Sequence, residues 1–348
     1  MAQPQTVPLQ LLGAPGSPYT RKMIALLRYR RVLYSIIWGG HQNPPLGLPS
    51  PKVKLLPTFY FPTAAGDVEP VVDSTPIIRR LEAEHSGRAA LPEDPVLCFL
   101  NDLIEDYADE WLTKAMFHYR WHHPVDRDNA GPLLIYWSSP LTPPADGEAA
   151  AKMITKRQFD RLYVVGSNEV TAQTIEASYV RFLGVFDDLI QQKGYVLGAR
   201  PSSADFAIYG QLTQLGVIEP TSAALMTRHP RVRAWLDRVE DLSGLEPCEN
   251  DWMTREEAST FCRPLLTEIG RVYAPFLRAN AGAVAVGAEA FEATIDGSPW
   301  TQPTFPYQAK CLIWIREGYA ALSPSDHMEV DAMFSGTGCE TMVEGSAT

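Results

Sequence analysis

The sequence predicts an α/β domain followed by an all-α domain, with additional helices beyond it. Three observations carry that expectation. At 348 residues the chain is longer than one core comfortably serves. Residues 1–86 alternate β-rich and helix-period stretches in the order β-α-β-β-α. Past a run of chain breakers, SGRAALPEDP at 86–95, apolar residues recur mostly at helical steps.

Each element has a local reason. Val7–Leu12 is apolar and stops at Gly13-Ala14-Pro15-Gly16. Ser17-Pro18 then opens a helix carrying Met23, Ile24, Leu26 and Leu27. Val32–Trp38 reads as a second strand, and the prolines and glycines of residues 39–52 forbid a long helix after it. Leu55–Phe61 and Val68–Val72 read as a hairpin, and Asp73-Ser74 starts a helix with Ile77, Ile78 and Leu81. The second domain, 96–242, is expected to hold helices at Val96–His123, Ala149–Val165, Ala172–Lys193, Ser203–Ile218 and Pro230–Leu242, with a loop over Pro124–Gly147. An extension, 243–334, adds helices at Ala258–Glu292 and Tyr307–Leu322, separated by the proline-rich DGSPWTQPTFP. Residues 335–348 are expected to fray.

The net charge is −11, which disfavours nucleic-acid binding. Its distribution is uneven: residues 241–348 hold 6 basic and 16 acidic side chains. By contrast, nothing before Asp67 is acidic, while Arg21, Lys22, Arg28, Arg30, Arg31, Lys52 and Lys54 all precede it, a field expected to favour a small anionic ligand. Five scattered cysteines without C-x-x-C spacing suggest reduced thiols. No apolar run is long enough for a membrane span and no signal-peptide layout is visible, so a cytoplasmic protein without a membrane partner is expected.

Four motifs then stand in order: Ser17-Pro18-Tyr19-Thr20 between strand and helix, Leu55-Leu56-Pro57-Thr58 at a strand head, Asp73-Ser74 at a helix start, and Arg200-Pro201-Ser202-Ser203-Ala204-Asp205-Phe206. His229-Pro230-Arg231-Val232 with Trp235 follows them. Together they resemble the glutathione transferase superfamily over roughly residues 9–240. The resemblance implies a thioredoxin-like N-terminal domain that binds glutathione as co-substrate, and an all-helical C-terminal domain that binds an apolar electrophile.

Read locally, Ser17 is an N-cap with Pro18 behind it. The resemblance gives its hydroxyl a second task, donating to the sulfur of bound glutathione where the helix N-terminus stabilises a thiolate; Tyr19 is the alternative donor. It also implies a cis Pro57, a peptide-binding edge at Leu56, and an ammonium and carboxylate site at Asp73 and Ser74. Asp73 departs from the more usual Glu or Gln. His41, Lys52 and Lys54 are candidates for the glycyl carboxylate, with Lys54 carried forward. Tyr107 and Trp111, on an aromatic helix, are expected to line the electrophile pocket, with burial as core the competing reading. Ser202 and Asp205 are expected to be a structural cap. His118 and His122 stand four apart, but no thiolate or spaced carboxylate pair completes a metal site, and no metal is expected.

The implied function is a glutathione transferase-like detoxification enzyme; family members often pair as homodimers, a surface that the extra helices of this chain could instead cover. The alternatives are a glutathione-dependent lyase or isomerase, and a non-catalytic protein-interaction scaffold on the same fold.

Overall fold

The structure is a computed structural model that describes residues 7–41 and 47–344. Strand β1 (Leu9–Gly13) leads through Ser17 into α1 (Pro18–Arg30), and β2 (Tyr34–Trp38) returns parallel to β1. β3 (Thr58–Pro62) runs antiparallel to β1 and β4 (Val68–Val71) antiparallel to β3, giving a sheet of order β2-β1-β3-β4, which α2 (Ser74–Glu84) follows. α1 starts where Ser17 Oγ accepts from Thr20 N at 3.2 Å and ends at Arg31, whose φ of 54° is the left-handed turn that lets Val32 N donate to Leu27 O. Among the described residues no helix joins β2 to β3, as the prolines require.

The second half is helical. α3 (Pro95–Tyr107) passes through a π turn at Ala108–Leu112 into α4 (Thr113–His122), where one uninterrupted helix was expected. The expected loop over 124–147 is instead mostly helix: α5 (Pro124–Ser138) and α6 (Pro144–Phe159) form an antiparallel pair. Pro124 and Pro144 sit in first turns, where a missing N–H costs nothing. Pro132 lies inside α5, beside Gly131, where any Cβ would collide with Thr155 of α6. Helices α7 (Ala172–Lys193), α8 (Ser203–Thr213), α9 (Pro220–Met226) and α10 (Pro230–Val239) complete this layer.

At the head of α8, Asp205 Oδ2 accepts from Ser202 N at 2.8 Å and from Ser202 Oγ at 3.0 Å, while Oδ1 accepts from Val196 N at 2.9 Å. Both residues are fully buried, and burial pushes the Asp205 carboxyl up to about 7.

The extension differs most from expectation. In place of one helix over 258–292 stand α11 (Arg255–Phe261), α12 (Arg263–Glu268), a π turn at Ile269–Tyr273 and α13 (Ala274–Ala285). They are followed by a hairpin of β5 (Ala290–Ile295) and β6 (Ser298–Pro303). Asp296-Gly297 turns the hairpin with φ of 52° and 72°, the positive-φ pair a two-residue turn needs. α14 (Pro306–Ala320), α15 (Pro324–Phe334) and α16 (Glu340–Val343) end the chain. Residues 335–344 are packed where fraying was expected: Cys339 and Met342 are fully buried, and Gly270 leaves room for the backbone at Thr337 and Cys339 to pass. Residues 345–348 lie outside the described part.

One apolar core joins the sheet, most of the helical layer and the extension, from Leu26 and Phe59 through Tyr107 and Phe182 to Phe276 and Met342, while Trp121, Ala130 and Leu162 form a smaller cluster under α5. α1 packs on α8 closely enough that a Cβ on Gly210 would strike the carbonyl of Pro18. Gly210→Ala should therefore lower the thermal unfolding midpoint, at a cost of about 1–3 kcal/mol for overpacking. A midpoint equal to that of the wild type would mean the two helices can separate freely.

Candidate active site

A cavity of 610 Å³ opens between the segment leading into β3 and the start of α2, the acidic face of α3 and the π turn that follows it, and α14. Leu56, Pro57, Asp73 and Ser74 line its N-terminal side, together with Tyr19. The Leu56-Pro57 bond is cis. Thr58, buried next to it, donates from Oγ1 to Leu55 O at 2.8 Å, and His41 Nε2 lies 3.0 Å from both atoms. His41 thus braces the strand head and does not line the cavity.

Ser17 Oγ donates to Leu56 O at 3.3 Å, so the α1 N-terminus and the strand head meet, although Ser17 itself is not part of the cavity lining. Tyr19 does line it, but its hydroxyl donates to Asp109 O at 2.7 Å. Burial, with Glu110 and Asp109 nearby, drives its pKa well above the usual phenol value.

Lys22 of α1 anchors the floor of the cavity. It is fully buried, and its Nζ donates to Ser74 Oγ at 3.0 Å, Glu105 Oε1 at 2.8 Å and Asp109 Oδ2 at 2.5 Å. Burial opposes charge on Glu105, but Lys22 and Arg79 outweigh it and hold that carboxyl down at about 2. Asp109 goes the other way, since burial lifts it to about 7 against the pull of Lys22. Burial likewise lifts Asp106 to about 6 and Glu110 to about 8.

These acids belong to one helical face, Asp102, Asp106, Asp109 and Glu110 at steps of four, seven and eight residues, and the spacing was available in the sequence. Donors for two of them, and for Asp73 across the cavity, come from the extension. Tyr273 gives a hydrogen bond to Asp106 Oδ2 at 2.6 Å, Gln308 Nε2 to Glu110 Oε2 at 2.8 Å, and Tyr307 to Asp73 Oδ2 at 2.9 Å.

Three expectations are corrected. Tyr107 and Trp111 are not pocket residues: they are 0% and 1% exposed, with Tyr107 against Phe182 and Tyr273, and Trp111 against Phe276 and Trp300 while its Nε1 donates to Ser178 Oγ. The helix turns its charged face to the cavity and its aromatic face to the core. The aromatic lining comes instead from Phe99, Phe305, Tyr307 and Trp314. Lys54 is exposed and outside the lining. Finally, of the basic N-terminal field only Lys22 reaches the cavity floor, and the four arginines are bound elsewhere: Arg21 and Arg28 reach Glu240, Arg30 pairs with Glu82 and Arg31 with Glu246. Arg79, which the sequence reading did not single out, is the only cationic side chain lining the cavity among the described residues.

Residues 11–89 match the family model of the glutathione S-transferase N-terminal domain, and residues 159–238 match that of the C-terminal domain. The chain thus carries glutathione S-transferase N- and C-terminal domains over these two regions. No curated protein matches it. Among solved structures it is similar to a glutathione S-transferase of Methylobacterium radiotolerans in complex with glutathione sulfonate (19% identity, 67% of this chain and 91% of that one, TM-score 0.41). It is also similar to a Tau class glutathione S-transferase from mango (18%, 74% and 98%, 0.40) and a Pseudomonas putida glutathione transferase with bound glutathione disulfide (16%, 68% and 87%, 0.41). Within this glutathione transferase-like chain, the N-terminal match holds Ser17, Leu56, Pro57, Asp73 and Ser74. The acidic face of α3 and the π turn that follows it and the aromatic wall from α14 fall outside both matched regions.

Two outcomes follow from the floor. Lys22→Met leaves buried carboxylates without their cation and should destabilise the fold by about 3–5 kcal/mol in denaturant unfolding. A near-neutral result would show that Arg79 alone suffices. For a carboxyl raised by burial, the folded state holds the extra proton between the two pKa values, so stability falls as pH rises through that window. For Glu110 the window runs from 4.5 to about 8. Thermal midpoints should fall across it and Glu110→Gln should flatten the fall; an identical slope in the variant removes Glu110 as the cause.

Proposed function

We propose that the protein is a glutathione-dependent transferase that activates the glutathione thiol for attack on an apolar electrophile. The observation that carries the reading is the convergence on one cavity of the Leu56-Pro57 strand head and the Asp73-Ser74 start of α2, with the Ser17 start of α1 bonded to Leu56. A peptide laid along Leu56 would place its γ-glutamyl carboxylate at the unpaired N–H groups of α2 and its ammonium at Asp73.

The sulfur then points toward the α1 N-terminus, where the helix dipole favours an anion. Ser17 is the better donor. Its bond to Leu56 O is long at 3.3 Å and easily exchanged, whereas the Tyr19 proton is committed to Asp109 O at 2.7 Å. The electrophile would lie on Phe99, Phe305 and Trp314, beside Asp109 and Glu110. Carboxyls titrating at about 7 and about 8 are matched to give a proton near neutral pH, which suits thiolate addition or epoxide opening, where a new anion must be quenched. Asp109 Oδ1 is buried with no hydrogen-bond partner among the described residues, consistent with a substrate contact. The same carboxyls would serve a glutathione-dependent lyase or isomerase.

One observation favours the scaffold reading: Tyr307 already occupies the Asp73 carboxylate. Retention on immobilised glutathione and conjugation of an aryl halide separate the two. The enzyme reading expects both from the wild type. It also expects Ser17→Ala to lose about 10- to 100-fold in kcat/KM, the worth of a ~1.5–3 kcal/mol hydrogen bond to a charged group. Full activity in Ser17→Ala rejects the thiolate assignment. Retention by Tyr307→Phe alone, with none by the wild type, supports a self-occupied, non-catalytic site.

A further inference from the structure

Outside the cavity, one side-chain cluster is drawn together from the end of α4 and from α7, which are distant in sequence. His118 lies in the last turn of α4, His123 at the joint between α4 and α5, and Glu176 in the second turn of α7. Both imidazoles direct Nε2 to the same carboxylate oxygen, Glu176 Oε1, each at 3.1 Å. One ligand atom from each of the three residues lies within 4.8 Å of the other two. From this geometry we infer a binding site for a zinc-class divalent ion, with His118 Nε2, His123 Nε2 and a Glu176 carboxylate oxygen as ligands and one open position.

The spacing fits. Metal–ligand distances of about 2.0–2.1 Å in a tetrahedron put neighbouring ligand atoms ~3.3 Å apart, close to the two nitrogen–oxygen separations found here. The chemistry fits as well: two imidazoles and a carboxylate suit a borderline ion and not calcium or magnesium, which take oxygen ligands. The outer contacts are also those of a metal site. His118 is fully buried, and its Nδ1 lies 2.8 Å from the Oγ of Ser167, itself buried. In the tautomer with the proton on Nδ1, Ser167 accepts it, and the lone pair of Nε2 faces the carboxylate oxygen. Two lone pairs at 3.1 Å repel unless a cation stands between them.

His122 stacks on His118 with ring centroids 4.5 Å apart, fixing the ring plane. The His123 and Glu176 side chains are 29% and 38% exposed, which leaves a route for the ion and a place for a water. None of the three ligands lines the 610 Å³ cavity, so the site stands apart from the proposed transferase chemistry. In the sequence His118 stands four residues from His122 with no carboxylate pair to complete a site; in the structure the completing carboxylate comes from α7, 58 positions away.

The test uses the full chain, stripped with a chelator and dialysed. Isothermal titration with zinc chloride should give one ion per chain, and zinc should raise the thermal midpoint. Cobalt(II) in its place should show the visible absorption of a four- or five-coordinate nitrogen and oxygen site. Glu176→Gln and His123→Ala, both at half-exposed positions, should retain the wild-type circular dichroism and lose the tight site. Ser167→Ala should weaken it by about 10- to 100-fold, as expected when the group that orients a ligating imidazole is removed. Substoichiometric uptake by the wild type overturns the inference, as does equal uptake by Glu176→Gln and His123→Ala. A sulfur-to-cobalt charge-transfer band would assign the ion to cysteine and overturn it too.

Discussion

The arrangement of the cavity depends on one buried ammonium. Lys22 projects from α1 into the buried interior, where an unpaired charge would cost several kcal/mol, and only its contacts with Ser74, Glu105 and Asp109 make that position tenable. Those contacts set geometry. Ser74 begins α2, Glu105 belongs to α3 and also accepts from Thr75 and Ser203, and Asp109 sits in the π turn that leads to α4. A single side chain therefore fixes where the proposed peptide-binding end of α2 stands relative to the acidic wall. Because Glu105 holds its charge at about 2 while Asp109 rises to about 7, the pairing also decides which acid remains available to the cavity.

The extension acts on that same wall. Tyr273, Gln308 and Tyr307 each donate to a different carboxyl, and Phe305 and Trp314 supply the aromatic surface. Its apolar residues join the common core, with Phe276 and Trp300 packed on Trp111. An appendage that only added mass would not need to send three polar side chains inward. Their presence makes the extension part of the cavity, and its aromatic side cannot be assembled without it.

What could be read from the sequence follows the range of the interactions involved. The β-α-β-β-α order, the cap at Ser17, the capping pair at Ser202 and Asp205 and the start of α2 at Asp73-Ser74 are local patterns, and the structure contains all of them. Failures fall where distant residues decide. Residues 124–147 read as a loop, but packing between α5 and α6 keeps them mostly helical, with Pro132 inside α5. Asp296-Gly297 is a hairpin signal at the head of the DGSPWTQPTFP segment, which reads only as a separator between helices because the pairing of β5 with β6 is not a local pattern. Tyr107 and Trp111 share a helix with Asp106 and Glu110, and only the surrounding elements determine which face meets the cavity. Tyr307 could not be connected with Asp73, 234 positions away, by any spacing rule.

Charge shows the same limit in energetic terms. The seven N-terminal cations suggested an anion-attracting field, yet Arg28, Arg30 and Arg31 are bound to Glu240, Glu82 and Glu246 and offer little to a ligand. The cavity is acidic by composition, which at first opposes an anionic peptide. Burial removes much of that opposition, because Asp109 and Glu110 hold their protons up to about 7 and about 8. In that state they are hydrogen-bond donors instead of repelling charges. The cost of burying the acids without enough cations is thus what would let one wall tolerate a thiolate and supply a proton, a combination that ionised carboxylates at the surface could not provide.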